Sequence, residues 1–181
     1  RLGPVAFGPS APYAWEGRNE PADCIRMHVS LWQRYARLMA ALWQRGIHAH
    51  MLIKVYNKQV KWPAHGSDEE KLFFRWLVAR YAAYPNIIWD FAKEAHNEKS
   101  LATKQGWLTW LRANDPYRHL TTVHDDDVAN DSGAYDALTD FRVDQHHGDE
   151  KGNTQGKNAN HTGGNHAKIL FQRERPAWPV A

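Results

Sequence analysis

The sequence is poor in several features that would assign a protein to a class at once. Its one cysteine, Cys24, cannot form an internal disulfide and leaves the redox compartment open. No apolar run approaches the roughly 18 residues of a membrane-spanning helix. The formal net charge of +3 is small, and the lysines and arginines form no cluster. Neither a membrane nor a nucleic acid is therefore indicated as a partner.

Aromatic residues, in contrast, are abundant, with nine tryptophans and seven tyrosines. Hydrophobic residues make up 43% of the chain, which is enough to build one core. The aromatic side chains can pack between layers of secondary structure, or some of them can form flat platforms on which sugar rings stack. The composition leaves both interpretations open.

Hydrophobic periodicity predicts strands and helices in strict alternation, which is typical of βαβ units with right-handed crossovers. The predicted strands are Ile47–Val55, Asn86–Phe91, Leu120–Val123, Thr139–Val143 and Pro176–Val180. The predicted helices are His28–Arg45, Ser67–Tyr84, Ser100–Ala113 and His166–Arg173, and residues 1–22 are predicted to form a loop.

Polar and ionisable residues follow the predicted strands, whereas the turns that lead into the strands are plain. This one-sided polarity is typical of a (β/α)8 barrel, also called a TIM barrel, which carries its active site at the C-terminal face. A doubly wound open sheet would alternate similarly, but it would more often contain a glycine-rich phosphate loop, and the sequence has none. The predicted fold class is therefore α/β, as a partial (β/α)8 TIM barrel.

The length favours an incomplete barrel, because 181 residues fall short of the about 250 that a complete one needs. The chain starts at Arg1 without a methionine and stops just after Trp178–Val180, so we expect both ends to be cut. We expect residues 1–181 to form a single domain that covers about strand 2 to the start of strand 7. Residues 148–165 are rich in Gly and Asn and are expected to form a flexible loop.

Two stretches carry recognisable motifs. Val78–Glu94 reads Val-Ala-Arg-Tyr-Ala-Ala-Tyr-Pro-Asn-Ile-Ile-Trp-Asp-Phe-Ala-Lys-Glu. Leu111–His124 contains Leu-Arg, Asp-Pro-Tyr, His-Leu and Thr-Val-His in that order. Together these motifs resemble those of the TIM-barrel glycoside hydrolases, and most closely the apiosidase-like and cellulase-like glycosidases of bacteria. Either motif alone would be a weak indication.

The resemblance implies hydrolysis of glycosidic bonds in a polysaccharide or oligosaccharide by a retaining mechanism with two carboxylates and no cofactor. Glu94 matches the acid/base glutamate that follows the fourth barrel strand of such enzymes, and chemistry in parallel sheets does collect past the carboxyl ends of strands. Their nucleophilic glutamate follows the seventh strand, so we expect it beyond Ala181. The family also favours an extracellular or periplasmic location and a role in bacterial polysaccharide degradation.

The sequence departs from the family pattern next to the candidate acid. Lys93 stands where such enzymes usually have an asparagine that contacts a sugar hydroxyl. A cation beside a carboxylate favours its ionised form, which is unsuited to donating a proton. An Asn-Glu pair does follow, as Asn97 and Glu98. We favour Glu94 as the acid, because its spacing from the Trp-Asp of the motif matches, and Glu98 is the alternative.

Further substrate-binding candidates lie at the ends of the predicted strands. They are Tyr56, Asn57, Lys93, Asn97, His124, Asp144 and His146. Because parallel strands end at one edge of a sheet, we expect Tyr56, Glu94, His124 and His146 to cluster there. A plainer interpretation is that the tyrosine and asparagine cap their strand and that the two histidines bond loop backbone.

Two other functions stay open for the sequence. The chain could belong to a barrel that binds carbohydrate without cleaving it, in which Lys93 marks a lost acid. It could also belong to a metal-dependent barrel hydrolase, with His124, Asp125–Asp127 and His146–His147 as ligands. We expect no metal, because His48 and His50 lie early in their strand, at the end far from the C-terminal face.

Overall fold

A computed structural model of the protein describes residues 13–17, 22–56, 60–98, 100–125, 135, 137–144 and 168–171. The strands are β1 (Trp15–Gly17), β2 (Ala22–Met27), β3 (Ala49–Val55), β4 (Ile87–Lys93), β5 (Thr121–Asp125), β6 (Phe141–Asp144) and β7 (Lys168–Phe171). The helices are α1 (Val29–Trp43), α2 (Asp68–Tyr81) and α3 (Leu101–Asn114), and a short 3₁₀ turn spans Ala95–Asn97.

The described residues form a mixed α/β fold around a five-stranded sheet with the order β3-β4-β5-β6-β7. The strands β3, β4, β5 and β6 run parallel to one another, and helices α2 and α3 connect the first three of them. Parallel neighbours need a crossover of this kind, because a short turn cannot return the chain to the same end of the sheet. The parallel α/β arrangement predicted from the alternating pattern is confirmed at this level.

The sheet curves towards the face that lies away from the helices. The rings of His50 in β3 and Phe141 in β6 lie 6.2 Å apart between centroids, although two strands separate them. Three strand spacings in a flat sheet would amount to about 14 Å. The side chains therefore converge on a concave face, as the wall of a barrel would require.

The main core lies between the sheet and its helices. Apolar residues of α2 and α3 pack on the outward side of β3 and β4, and aromatic rings join the two helices. Phe74 of α2 and Trp107 of α3 are stacked, with centroids 3.8 Å apart and planes 7° from parallel. Phe91 of β4 stacks on Phe74 at 6.3 Å. These contacts hold both helices against β4, the strand that Glu94 follows.

Two predictions of secondary structure are wrong. Residues 1–22 were expected to be a loop, but Trp15–Gly17 pairs with Ala22–Met27 as an antiparallel hairpin with an irregular register. His166–Arg173 was expected to be a helix, but Lys168–Phe171 is a strand antiparallel to β6. A (β/α)8 barrel contains parallel strands throughout, so β7 departs from that pattern.

Other expectations fall on residues that the structure does not describe. These are the loop at 148–165 and the strand at 176–180. Within the described ranges, none of the helices combines the length and the apolar character that crossing a bilayer demands.

Candidate active site

The C-terminal ends of three neighbouring strands meet at one edge of the sheet. Val55 of β3 lies opposite Lys93 of β4, and Lys93 lies opposite His124 of β5. The backbone N–H of Tyr56 donates to the carbonyl of Lys93 at 3.2 Å. Tyr56, Glu94 and His124 are therefore brought to the same edge. His146 and Asn57 lie outside the described residues, as does the side chain of Asp144.

Glu94 has an unusual backbone conformation. Its φ of 55° and ψ of 51° lie in the left-handed region, which costs a residue with a Cβ atom about 1–2 kcal/mol. Two hydrogen bonds to the Glu94 carbonyl stabilise this turn. The backbone N–H of Asn97 donates to it at 3.0 Å, and the side-chain amide of Asn97 donates to it at 3.2 Å. Strained residues of this kind concentrate at functional sites.

The Glu94 side chain is largely shielded and is paired with its neighbour. Lys93 Nζ lies 2.6 Å from Glu94 Oε1, and the two side chains are 24% and 12% exposed. A charge-assisted contact of this length fixes the orientation of both groups. The arrangement presents one carboxylate and one ammonium at the sheet edge, where they can exchange protons with a bound molecule or bond its hydroxyl groups.

Glu98 also reaches this edge, beside Tyr56. Burial raises the pKa of the Tyr56 hydroxyl, and the negative charge of Glu98 raises it further. The hydroxyl itself is buried and makes no hydrogen bond of good geometry with the described residues. Glu98 accepts the backbone N–H of Ser100 at 3.0 Å. Both candidate acids of the sequence therefore lie near the end of β3 and β4.

A buried ion pair supports the site from the side of α2. Lys54 Nζ bonds Glu70 Oε1, and both side chains are almost inaccessible to solvent. The other Glu70 oxygen accepts the backbone N–H of Gly66 at 2.7 Å and lies 3.2 Å from His65 Nδ1. Lys54 also lies over the rings of Tyr56 and Trp62, at 5.9 Å from each centroid. The contacts connect the start of α2 to the end of β3.

A second buried carboxylate lies further down β4. Asp90 Oδ1 accepts the backbone N–H groups of Ala92 and His124, each at 3.1 Å. Asp90 Oδ2 lies 2.8 Å from His50 Nε2 of β3. Asp90 and the side chain of His124 are fully buried. His124 thus lies behind the edge, and Asn97 is exposed at its rim.

The sequence interpretation missed four residues around the site: His50, Lys54, Glu70 and Asp90. It looked for polar groups only past the strand ends, whereas three of these lie inside β3 and β4. A usable signal was present, because ionisable residues within an otherwise apolar strand are rarely buried unless they are paired.

No group of three or more His, Cys, Asp or Glu side chains in the described part of the chain is arranged to hold a metal ion.

Comparisons with known proteins agree with this geometry. A family model described as apiosidase-like, catalytic domain, matches residues 10–180. A solved structure from Bacteroides vulgatus ATCC 8482, that of a candidate glycoside hydrolase, is 24% identical in sequence, with a TM-score of 0.52. The similarity covers 57% of this chain and 21% of that one, so this chain spans about a fifth of its length. At this identity the likeness shows a shared fold alone. No curated protein matches the chain.

Proposed function

The chain belongs to the apiosidase-like catalytic-domain family, and from this premise we propose that it is part of a glycoside hydrolase that cleaves glycosidic bonds in an oligosaccharide or polysaccharide. The observation that carries the proposal is Glu94. It combines a strained backbone, a shielded carboxylate and a position past the end of a parallel strand. Active sites of (β/α)8 enzymes lie at that face of the sheet, and we propose that β3 to β6 are part of such a barrel.

In this proposal Glu94 acts twice. As an acid it protonates the oxygen that leaves when the glycosidic bond breaks, and as a base it then activates the water that hydrolyses the glycosyl-enzyme. A second carboxylate, which follows a strand outside the described residues, supplies the nucleophile. Lys93 Nζ lies 2.6 Å from Glu94 Oε1 and orients the carboxylate for both steps.

The remaining residues at the edge bind the sugar in this proposal. Lys93 and Asn97 lie beside Glu94 and can bond hydroxyl groups of the substrate. Tyr56 belongs to the proposed set because it lies past the end of β3, where its backbone N–H donates to the Lys93 carbonyl at 3.2 Å. The sequence adds Asn57, Asp144 and His146 to the proposed set, and the fully buried His124 is proposed to support the site from behind. No cofactor takes part.

Glu94→Gln tests the mechanism in the intact enzyme. The substitution keeps the size of the side chain and removes the proton donor, so turnover of natural glycosides should fall by about 10² to 10⁴. A substrate with an activated leaving group needs no proton in the first step, and its first step should be far less affected. Azide should then restore the second step, because a small anion replaces the water that Glu94 activates.

Two variants serve as controls. Glu98→Gln removes the other carboxylate of the edge and should leave turnover largely intact, and Glu16→Gln changes an exposed glutamate of β1. Loss of activity in Glu98→Gln but not in Glu94→Gln would reassign the acid to Glu98. An intact wild-type protein that binds oligosaccharides but hydrolyses neither natural nor activated glycosides would favour the non-catalytic binding barrel, since the Lys93–Glu94 pair fits a lost acid as well.

A further inference from the structure

The pairing of β4 with β5 is irregular just before the candidate site. Asp90 lies opposite Thr122, but Lys93 lies opposite His124, so three steps along β4 face two steps along β5. In a regular pairing Ala92 would lie opposite His124. The extra residue is a β-bulge, which leaves backbone groups without their ladder partners and re-aims the strand that follows.

Asp90 supplies a hydrogen-bond acceptor for backbone N–H groups at the bulge, where the regular strand pairing is interrupted. Its Oδ1 accepts the N–H of Ala92, inside the bulge, and the N–H of His124, on the facing strand, each at 3.1 Å. Both groups are buried, and a buried N–H without an acceptor costs about 1–3 kcal/mol. The carboxylate is fully buried, and its other oxygen lies 2.8 Å from His50 Nε2 of β3. One side chain thus joins β3, β4 and β5 at the level of the bulge.

The bulge determines which side chains the C-terminal end of β4 brings to the candidate site. Side chains alternate between the two faces of a sheet, so a slip of one residue exchanges the faces of all that follows. Without the bulge, the Lys93–Glu94 pair would shift by one position against His124. We infer that Asp90 is a positioning residue for the proposed reaction: it holds the bulge that sets where Glu94 meets the substrate. This inference rests on the proposed function of Glu94.

The test compares three variants of the intact protein. Asp90→Ala removes the acceptor of both N–H groups, and Asp90→Asn keeps one oxygen for them while it removes the charge. Thr122→Val is the matched control, because Thr122 is also fully buried, lies opposite Asp90 and donates its hydroxyl to the Phe141 carbonyl at 2.7 Å. Thr122→Val loses a buried hydrogen bond at the same level of the sheet, and it leaves the Asp90 hydrogen bonds at the bulge in place.

Asp90→Ala should lower kcat about 10²-fold with KM nearly unchanged, because a displacement of about 1 Å at a reacting group can cost that much. Asp90→Asn should restore most of kcat, and Thr122→Val should keep it. Hydrogen–deuterium exchange should accelerate at residues 91–94 and 124 in Asp90→Ala only. An equal loss of kcat in Thr122→Val, or a higher KM with unchanged kcat in Asp90→Ala, would overturn the inference.

Two further outcomes are decisive. Asp90→Ala that fails to fold while Thr122→Val folds would also overturn it, since Asp90 would then hold the whole sheet rather than its edge. If Glu94→Gln leaves turnover unchanged, the proposed role of Glu94 fails, and the exchange measurement alone decides the role of Asp90. Unchanged exchange at residues 91–94 and 124 would then reject it, and selective acceleration would support it.

Discussion

Tyr56 should keep its proton far into the alkaline range, since burial and the Glu98 carboxylate raise the pKa of its hydroxyl. An unfolded chain releases a tyrosine proton near pH 10, with the folded protein still holding it. The unfolded state then binds fewer protons, so stability should fall as the pH rises above about 10. Tyr56→Phe should weaken this dependence, as urea unfolding at several pH values would show.

A titration of Tyr56 tests whether Glu98 lies beside it. Removing its charge in Glu98→Gln should lower the pKa of Tyr56, which the ultraviolet absorption of tyrosinate reports directly. Tyr117→Phe is the control for the loss of one tyrosine, because Tyr117 is exposed and lies at the other end of the sheet. A Tyr56 titration that does not respond to Glu98→Gln would show that the two groups are apart in solution.

Single residues could be predicted from the sequence only where the chain position alone determines their place. Tyr56 and Glu94 follow a strand and His124 lies near the end of one, and parallel strands bring such residues to one edge. The left-handed backbone of Glu94 could not be predicted, because it depends on the 3₁₀ turn after β4. The position of Asp90 within an apolar strand signalled a paired carboxylate, but its partners are backbone N–H groups that depend on the bulge between β4 and β5.

Helix α2 depends on the cap at its first turn. The Ser67 hydroxyl accepts the N–H of Glu70 at 3.2 Å, as the Ser-Asp-Glu-Glu spacing predicts. Ser67→Ala should therefore lower the free energy of unfolding by about 1 kcal/mol, and Ser67→Thr should retain most of it. Ser30→Ala, at an exposed position of α1, is the control and should cost nothing, because alanine is the better helix former. Urea midpoints measure all three; equal midpoints would contradict the cap.

The elements that were predicted well are those with long periodic patterns. α1, α2 and α3 each repeat their apolar face over three or more turns, and β3 and β4 are buried runs of seven residues. The misses are short. β1 has three residues and no two-residue turn after it, and the four residues of β7 are too few for a helical and an extended period to differ.

The arrangement of the strands in the sheet predicts how this chain behaves when it is expressed by itself. In the described part of the molecule, β3 has a strand neighbour on one side only, although its residues are almost all buried. Unpaired strand edges of this kind template association with other chains. We therefore expect the 181-residue chain to form dimers or aggregates, measurable by light scattering during gel filtration. A sharp, reversible melt of a monomer would contradict this.

At the scale of the molecule, alternation in the sequence was enough to predict a parallel α/β sheet, but not its curvature or its last strand. Curvature depends on contacts such as that between His50 and Phe141, which are far apart in the chain. The antiparallel direction of β7 could not be predicted, because the sequence between β6 and β7 carries no periodic pattern. Closure into a barrel therefore remains a proposal that rests on family membership.

The left-handed backbone of Glu94 has a consequence for protein engineering. Among the described residues other than glycine, only Arg118 shares this conformation, and it precedes β5, at the opposite edge of the sheet. Glycine would relieve both positions of a cost of about 1 kcal/mol. A library selected for heat resistance alone would therefore favour glycine at both, and at Glu94 this would discard the proposed chemistry. Thermal selection of this domain would have to be paired with selection for turnover.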